Sequence, residues 1–187
     1  MTIVVDVANV MGSRPDGWWR DRAGAAVRLH AEVVRLAASG RVSLPDEAGS
    51  PGETAPPAFV LVLEGAAKAA AARLPSRESR ESRESDEPGA AAVGTDGGSG
   101  TDGGSGTDGE AVTDGEAVVG VGSGPVRPGE VRVVQARGSG DDAIVAVVRE
   151  LPGRRVVVTA DRELRERSVA AGATILGPGW LLGLLRD

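Results

Sequence analysis

Met1-Thr-Ile-Val-Val-Asp6-Val-Ala-Asn9-Val10 opens the chain, and the apolar run over residues 3–7 decides what kind of fold follows. β-Branched side chains fit a pleated strand, and a short continuous apolar run bounded by polar residues is the pattern of a strand buried on both faces, as in a parallel sheet. Asp6 interrupts that run near its end. A lone buried carboxylate is expensive, and the apolar residues around it make a helix cap a poor explanation for it.

The pattern recurs outward from this strand. Apolar runs at 59–63, 131–135, 154–159 and 173–176 predict four more strands. Helical segments are predicted between them. Over 18–38, after the turn Gly12-Ser-Arg-Pro-Asp-Gly17, residues Ala26, Leu29, Val33, Leu36 and Ala37 fall at helical spacing, with Gly40 beyond the end. Helices are also expected at 64–74, at 141–151 before Pro152-Gly153, at 162–171, and at 180–185. Five apolar strands separated by helices imply an α/β fold with a mainly parallel sheet covered on both faces, since right-handed crossovers keep the strands in one direction.

The chain has 187 residues and a net charge of -6, and that charge is unevenly spread. Residues 1–75 carry 8 basic and 8 acidic side chains and residues 130–187 carry 9 and 8, whereas 76–129 carry 4 and 11. The middle stretch is also of low complexity: Ser-Arg-Glu repeats from Ser76, Gly-Thr-Asp-Gly-Gly-Ser units from Gly94, then Thr-Asp-Gly-Glu-Ala-Val twice from Thr107. Almost without large apolar residues, it cannot offset the roughly 1–2 kcal/mol per residue of backbone ordering. The division expected is one domain formed by 1–75 and 130–187, with 76–129 a disordered Ser/Arg/Glu and Gly/Asp/Thr-rich insert in a surface connection. A calcium-binding repeat would need a bulky apolar residue in each period, which only Val112 and Val118 approach. The absence of cysteine excludes disulfide scaffolds, zinc fingers and thiol catalysis. The opening residues have no basic n-region, and no apolar run approaches the ~20 residues of a bilayer span. A cytoplasmic protein with no membrane partner is the expectation.

Ligands of such sheets bind beyond the carboxyl ends of the strands. On this map Asp6 ends the first strand, Glu64 the second, Asp141-Asp142 start the helix after the third, and Asp161 follows the fourth, all on one rim. Taken alone, Asp141 or Asp161 reads as a helix cap. Together they repel, two charges ~4 Å apart by about 4 kcal/mol at an effective dielectric of 20, and must be protonated, separated or bridged by a cation. Hard carboxylate oxygens suit Mg²⁺ or Mn²⁺. Asp141 shares a helix face with Ile144, Val148 and Leu151, whereas Asp142 is turned about 100° away. Asp141 is therefore the expected ligand and Asp142 its outer neighbour.

Three short motifs in this order resemble the NYN domain, YacP-like branch, of the PIN-like nucleases: Val5-Asp6-Val-Ala-Asn9-Val-Met-Gly12, Gly138-Ser-Gly-Asp-Asp-Ala-Ile144, and Thr159-Ala-Asp161 with Gly172-Ala173 downstream. The likeness covers both flanks and skips the insert. Val7 stands where relatives commonly have glycine, and Glu64 where many have Asp. The resemblance implies a three-layer PIN-like domain with a five-stranded parallel sheet of order 3-2-1-4-5, setting Asp6 and Asp161 side by side. It also implies metal-dependent cleavage of RNA, with Asp6, Asp141 and Asp161 as metal ligands and Asn9 orienting a ligand or phosphate. Glu64 is either a further ligand or the cap of the helix it begins.

The expected reaction is in-line attack of water on an RNA phosphodiester, the cation lowering the water's pKa and stabilising the leaving oxygen. A catalytically weak RNA-binding or regulatory module of the same fold is the alternative. Single-stranded or structured RNA is the expected partner, and Trp18 and Trp19, with Arg14, Arg20 and Arg22 beside them, could stack its unpaired bases. Adjacent helical residues point apart, so one tryptophan could equally be core and the other partly exposed. His30, mid-helix, and Trp180 read as structural. Gly120-Val-Gly-Ser-Gly124 has neither a strand before it nor a Lys after it, which disfavours a phosphate loop. A phosphoaspartyl phosphatase would want a second Asp where Ala8 stands, and a receiver domain a Lys near the last strand, far from Lys68.

Overall fold

The computed structural model describes residues 1–45, 55–74, 118–121 and 126–186. Its centre is β1, Thr2–Asp6, hydrogen-bonded in parallel to β2, Ala58–Leu63, on one side and to β5, Arg155–Val158, on the other. Beyond β2 lies β4, Val131–Ala136, and beyond β5 lies β6, Thr174–Leu176, both parallel to their neighbours. Renumbered among themselves, these five strands run 3-2-1-4-5, as expected.

A sixth strand departs from expectation. β3, Val118–Val121, pairs antiparallel with the outer side of β4. It falls inside the stretch 76–129 predicted to lack order, because Val118-Val-Gly-Val121 is a short β-branched run at a sheet edge, where four ladder pairs suffice to hold it. It also supplies a strand at the start of the glycine-rich stretch 120–124, for which the sequence predicts none. Residues 75–117 and 122–125, including the Asp/Gly repeats and most of that loop, lie outside the described residues.

The two-residue period of a strand sorts the core into two layers. Ile3, Val5, Phe59, Leu61, Leu63, Val156 and Val158 face one side, packed under α1, Val7–Gly12, α2, Arg22–Ser39, and α5, Pro178–Leu184. Val4, Val60, Val62, Val134 and Val157 face the other, under α3, Gly140–Glu150, and α4, Arg162–Ala170. Asp6, Glu64 and Thr159 each continue the alternation of the second set. Parity alone thus sends all three toward the α3–α4 layer.

Several elements differ locally from the periodicity. The first strand ends at Asp6 and α1 begins at once, because the Asp6 side chain accepts from Asn9 N and caps it. Asp6 is therefore a cap as well as a buried carboxylate. The predicted helix over 18–38 is interrupted: Trp18–Arg20 is a 3-10 turn, Asp21 leaves helical geometry at φ -144°, and its carboxylate caps α2 through Gly24 N. Gly65–Arg73 is a 3-10 helix rather than an α-helix. Its buried residues Ala67 and Ala70 stand three apart, the repeat at which 3-10 side chains eclipse, and small alanines tolerate that stacking. No helix among the described residues is long and apolar enough to cross a membrane.

Candidate carboxylate site

Asp6 is only 6% exposed, and both oxygens of its carboxylate accept hydrogen bonds. Oδ1 accepts Asn9 N at 3.0 Å, while Oδ2 accepts Asn9 Nδ2 at 2.8 Å and the Thr159 hydroxyl at 2.9 Å. Asn9 thus orients Asp6 from the first turn of α1. Donors to the ionised form hold a buried carboxylate in place and offset part of its desolvation.

Thr159 joins Asp6 to Asp161. Its Oγ1 donates to Asp6 and accepts the Asp161 backbone N–H at 3.1 Å, and the residue is 1% exposed. Asp161 is the N-cap of α4, Oδ1 accepting Leu164 N at 2.8 Å. Sequence reasoning assigns Thr159 no role. The signal that could have found it is its parity with Asp6 across neighbouring strands: Val5 pairs with Val158, so the residues one further along are adjacent.

Glu64 follows β2 and makes no side-chain cap on the 3-10 helix it begins. Its Oε2 instead accepts Gly140 N at 3.0 Å, tying the end of β2 to the N-terminus of α3. Asp141 is the next residue of that helix. Burial pushes its carboxyl pKa up from the ordinary value, and the negative charges of Asp161, Asp6 and Glu64 raise it further, against a smaller lowering by Arg167. Asp141 therefore feels carboxylates from three other segments at one edge of the sheet. Asp142 is turned outward and exposed, and it pairs with Arg167 of α4. Arg167 is not anticipated from the sequence, since an Arg on a polar helix face looks like any solvated charge.

The aromatic and basic residues belong to the opposite layer. Trp18 is half-buried, packed against the α1–α2 core, with the Arg22 guanidinium 5.3 Å from its ring centroid. Trp19, edge-on to Trp18 with centroids 6.3 Å apart, is 57% exposed. Arg14 is paired with Glu32, and Arg20 is exposed. Among the described residues no hydrogen bond or ion pair links these five to the carboxylates. His30 is buried in α2, and Trp180 packs against the core while donating to Ser43 O.

In kind, the donor set fits a hard divalent cation: every donor is an anionic oxygen, and burial together with the charges of its neighbours raises the Asp141 carboxyl. In spacing, no group of three or more His, Cys, Asp or Glu among the described residues stands close enough to hold a metal ion. Comparison with known proteins adds no family: no family model, no curated protein and no solved structure matches the chain.

Proposed function

We propose that this chain is a metal-dependent ribonuclease of the NYN, PIN-like kind. The observation that carries the reading is the Thr159 hydroxyl, which donates to the Asp6 carboxylate and accepts the Asp161 backbone N–H, so that one buried side chain fixes the segment bearing Asp161 against Asp6 from a distant part of the chain. Support also comes from Asp141, whose carboxyl is raised by burial and then by the charges of Asp161, Asp6 and Glu64. In this reading Asp6, Asp141 and Asp161 would have to draw closer together to hold Mg²⁺ or Mn²⁺, because no three such groups among the described residues stand close enough to do so, with Glu64 at the periphery. The cation would supply Lewis acidity and activation of water for attack on an RNA phosphodiester.

The chain's own residues have distinct tasks. Asn9 and Thr159 fix the Asp6 carboxylate so that it spends no rotamer freedom when a ligand arrives. Glu64 holds α3 by its first residue, which sets where Asp141 stands. Asp142 holds Arg167 beside Asp141, and the guanidinium offers a cation to phosphate near the carboxylates. Trp19, with Arg20 nearby, is the exposed ring suited to stack an unpaired base.

A second reading, an RNA-binding or regulatory module of the same fold, is favoured by one observation. Asp6 and Asp161 already have structural work as caps of α1 and α4. Labelled RNA incubated with Mn²⁺ or EDTA, comparing wild type with Asp6→Ala and Asp161→Asn, separates the two. The amide introduced by Asp161→Asn would keep an oxygen for Leu164 N, so the cap survives while the charge is lost. The nuclease reading expects EDTA-sensitive cleavage that falls by about 100-fold or more in both variants, since even outer partners of a metal contribute 10–100-fold. RNA binding with no Mn²⁺-dependent cleavage by wild type selects the module.

A further inference from the structure

On the layer opposite the carboxylates, a cleft of about 480 Å³ opens between α2 and the end of α5. Small-molecule sites span about 300–1,000 Å³. Glu32, Arg35, Leu36 and Ser39 line it as one stripe of α2, at i, i+3, i+4 and i+7. Gly40, at φ 64°, ends the helix in the left-handed region and turns the chain so that Arg41 and Ser43 also line the cleft. That segment is pinned, for Trp180 Nε1 donates to Ser43 O at 3.1 Å. Leu36, Leu184 and Leu185 contribute apolar surface.

The charge of the cleft is unbalanced. Glu32, its carboxylate, is already paired with Arg14. Arg35 and Arg41 are exposed, and their guanidinium groups make no ion pair or hydrogen bond among the described residues. Two guanidinium forks unpaired among the described residues, in one cleft with three leucines, match an anionic head on an apolar body, because a planar fork pairs with carboxylate, sulfonate or phosphate oxygens in bidentate fashion. We infer that this cleft binds a small amphipathic organic anion, its head on Arg35 and Arg41 and its apolar part against Leu36, Leu184 and Leu185. The inference stands independently of the nuclease reading.

The full chain is titrated with 8-anilino-1-naphthalenesulfonate, a sulfonate on apolar rings, with decanoate and inorganic phosphate as competitors. The expected result is saturable binding that decanoate displaces and inorganic phosphate at the same concentration does not. The Arg35→Gln/Arg41→Gln variant should bind at least about tenfold more weakly, the scale of one lost charge-assisted hydrogen bond, and melt at the wild-type temperature. Arg41→Gln alone, a change on an exposed loop, should show part of the loss. Equal affinity in wild type and the double variant overturns the inference, as does the absence of saturable binding. Displacement by inorganic phosphate as effective as by decanoate overturns the apolar half of the recognition.

Discussion

Asp141 shows how a single carboxyl reports on its surroundings. It stands in the first turn of α3, and burial followed by the charges of Asp161, Asp6 and Glu64 raises its pKa, against a smaller lowering by Arg167. A carboxyl whose folded pKa exceeds its unfolded value of 3.8 contributes stability that is complete below that value and is lost as pH rises through the folded one. At neutral pH the ionised group therefore opposes folding. Asp141→Asn should melt higher than wild type at pH 7, by at most about 1 kcal/mol because the group is partly exposed and screened. The difference should vanish as the pH falls below 3.8. Mn²⁺ should reverse the order, stabilising wild type more than the variant, since a ligand that binds only the native state adds RT ln(1 + [L]/Kd). A variant less stable than wild type at pH 7 without metal contradicts the crowding. The acidic residues of this edge were legible because carboxylates after apolar runs are conspicuous. Thr159 was not, because a hydroxyl ending a β-branched run looks like one more strand residue until its pairing partner is known.

Between the residue after β2 and the first residue of α3 the polar tie is one hydrogen bond, and it makes an exacting demand on one glycine. A Cβ on Gly140 would overlap the Glu64 carboxylate that accepts its N–H. Alanine in a helix is ordinarily better than glycine by about 0.5–1 kcal/mol, but here it must displace a charge-assisted bond worth about 1.5–3 kcal/mol. Gly140→Ala should therefore destabilise by about 1 kcal/mol. In a Glu64→Ala background the same substitution should stabilise, because the obstacle is gone and only the backbone preference remains. Urea unfolding of the four proteins measures this cycle, and additivity within about 0.5 kcal/mol would show that the two residues do not interact. At this scale the strands were readable from dense β-branched runs, while element ends set by side-chain caps were not. Asp21 breaks the helical stripe that Ala26, Leu29 and Val33 continue, and Asp6 starts α1 inside what reads as strand. In both places a local side-chain bond to the backbone overrides periodicity.

Across the whole molecule, the order of the five parallel strands followed from the resemblance, and the two-faced burial from the alternation of apolar runs with helices. The antiparallel β3 did not, since its few apolar residues sit amid polar low-complexity sequence and gain their order from the exposed edge of β4. What keeps the α3–α4 layer, and with it Asp141 and Asp161, fixed against the sheet is partly one side chain of β5. Arg155 Nη1 donates to Leu151 O at 3.2 Å and Val148 O at 3.5 Å at the end of α3, and Nη2 to Gly172 O at 3.3 Å in the turn between α4 and β6. Gly172 is at φ 86° and would bring a Cβ to 3.0 Å from Nη2, so the turn admits this guanidinium only as glycine. Because a cation near a helix C-terminus also opposes its partial negative charge, removing it leaves carbonyls at two element ends unpaired. Arg155→Ala should lower stability by about 2–4 kcal/mol, two to three bonds to a charged donor less what water recovers. Arg155→Lys should restore less than half, since an ammonium cannot span both helix end and turn. Hydrogen exchange should then quicken in α3 and the 170–173 turn while β1 and β2 stay protected. Uniform loss of protection across the sheet would mean that Arg155 supports global folding instead of this layer's attachment.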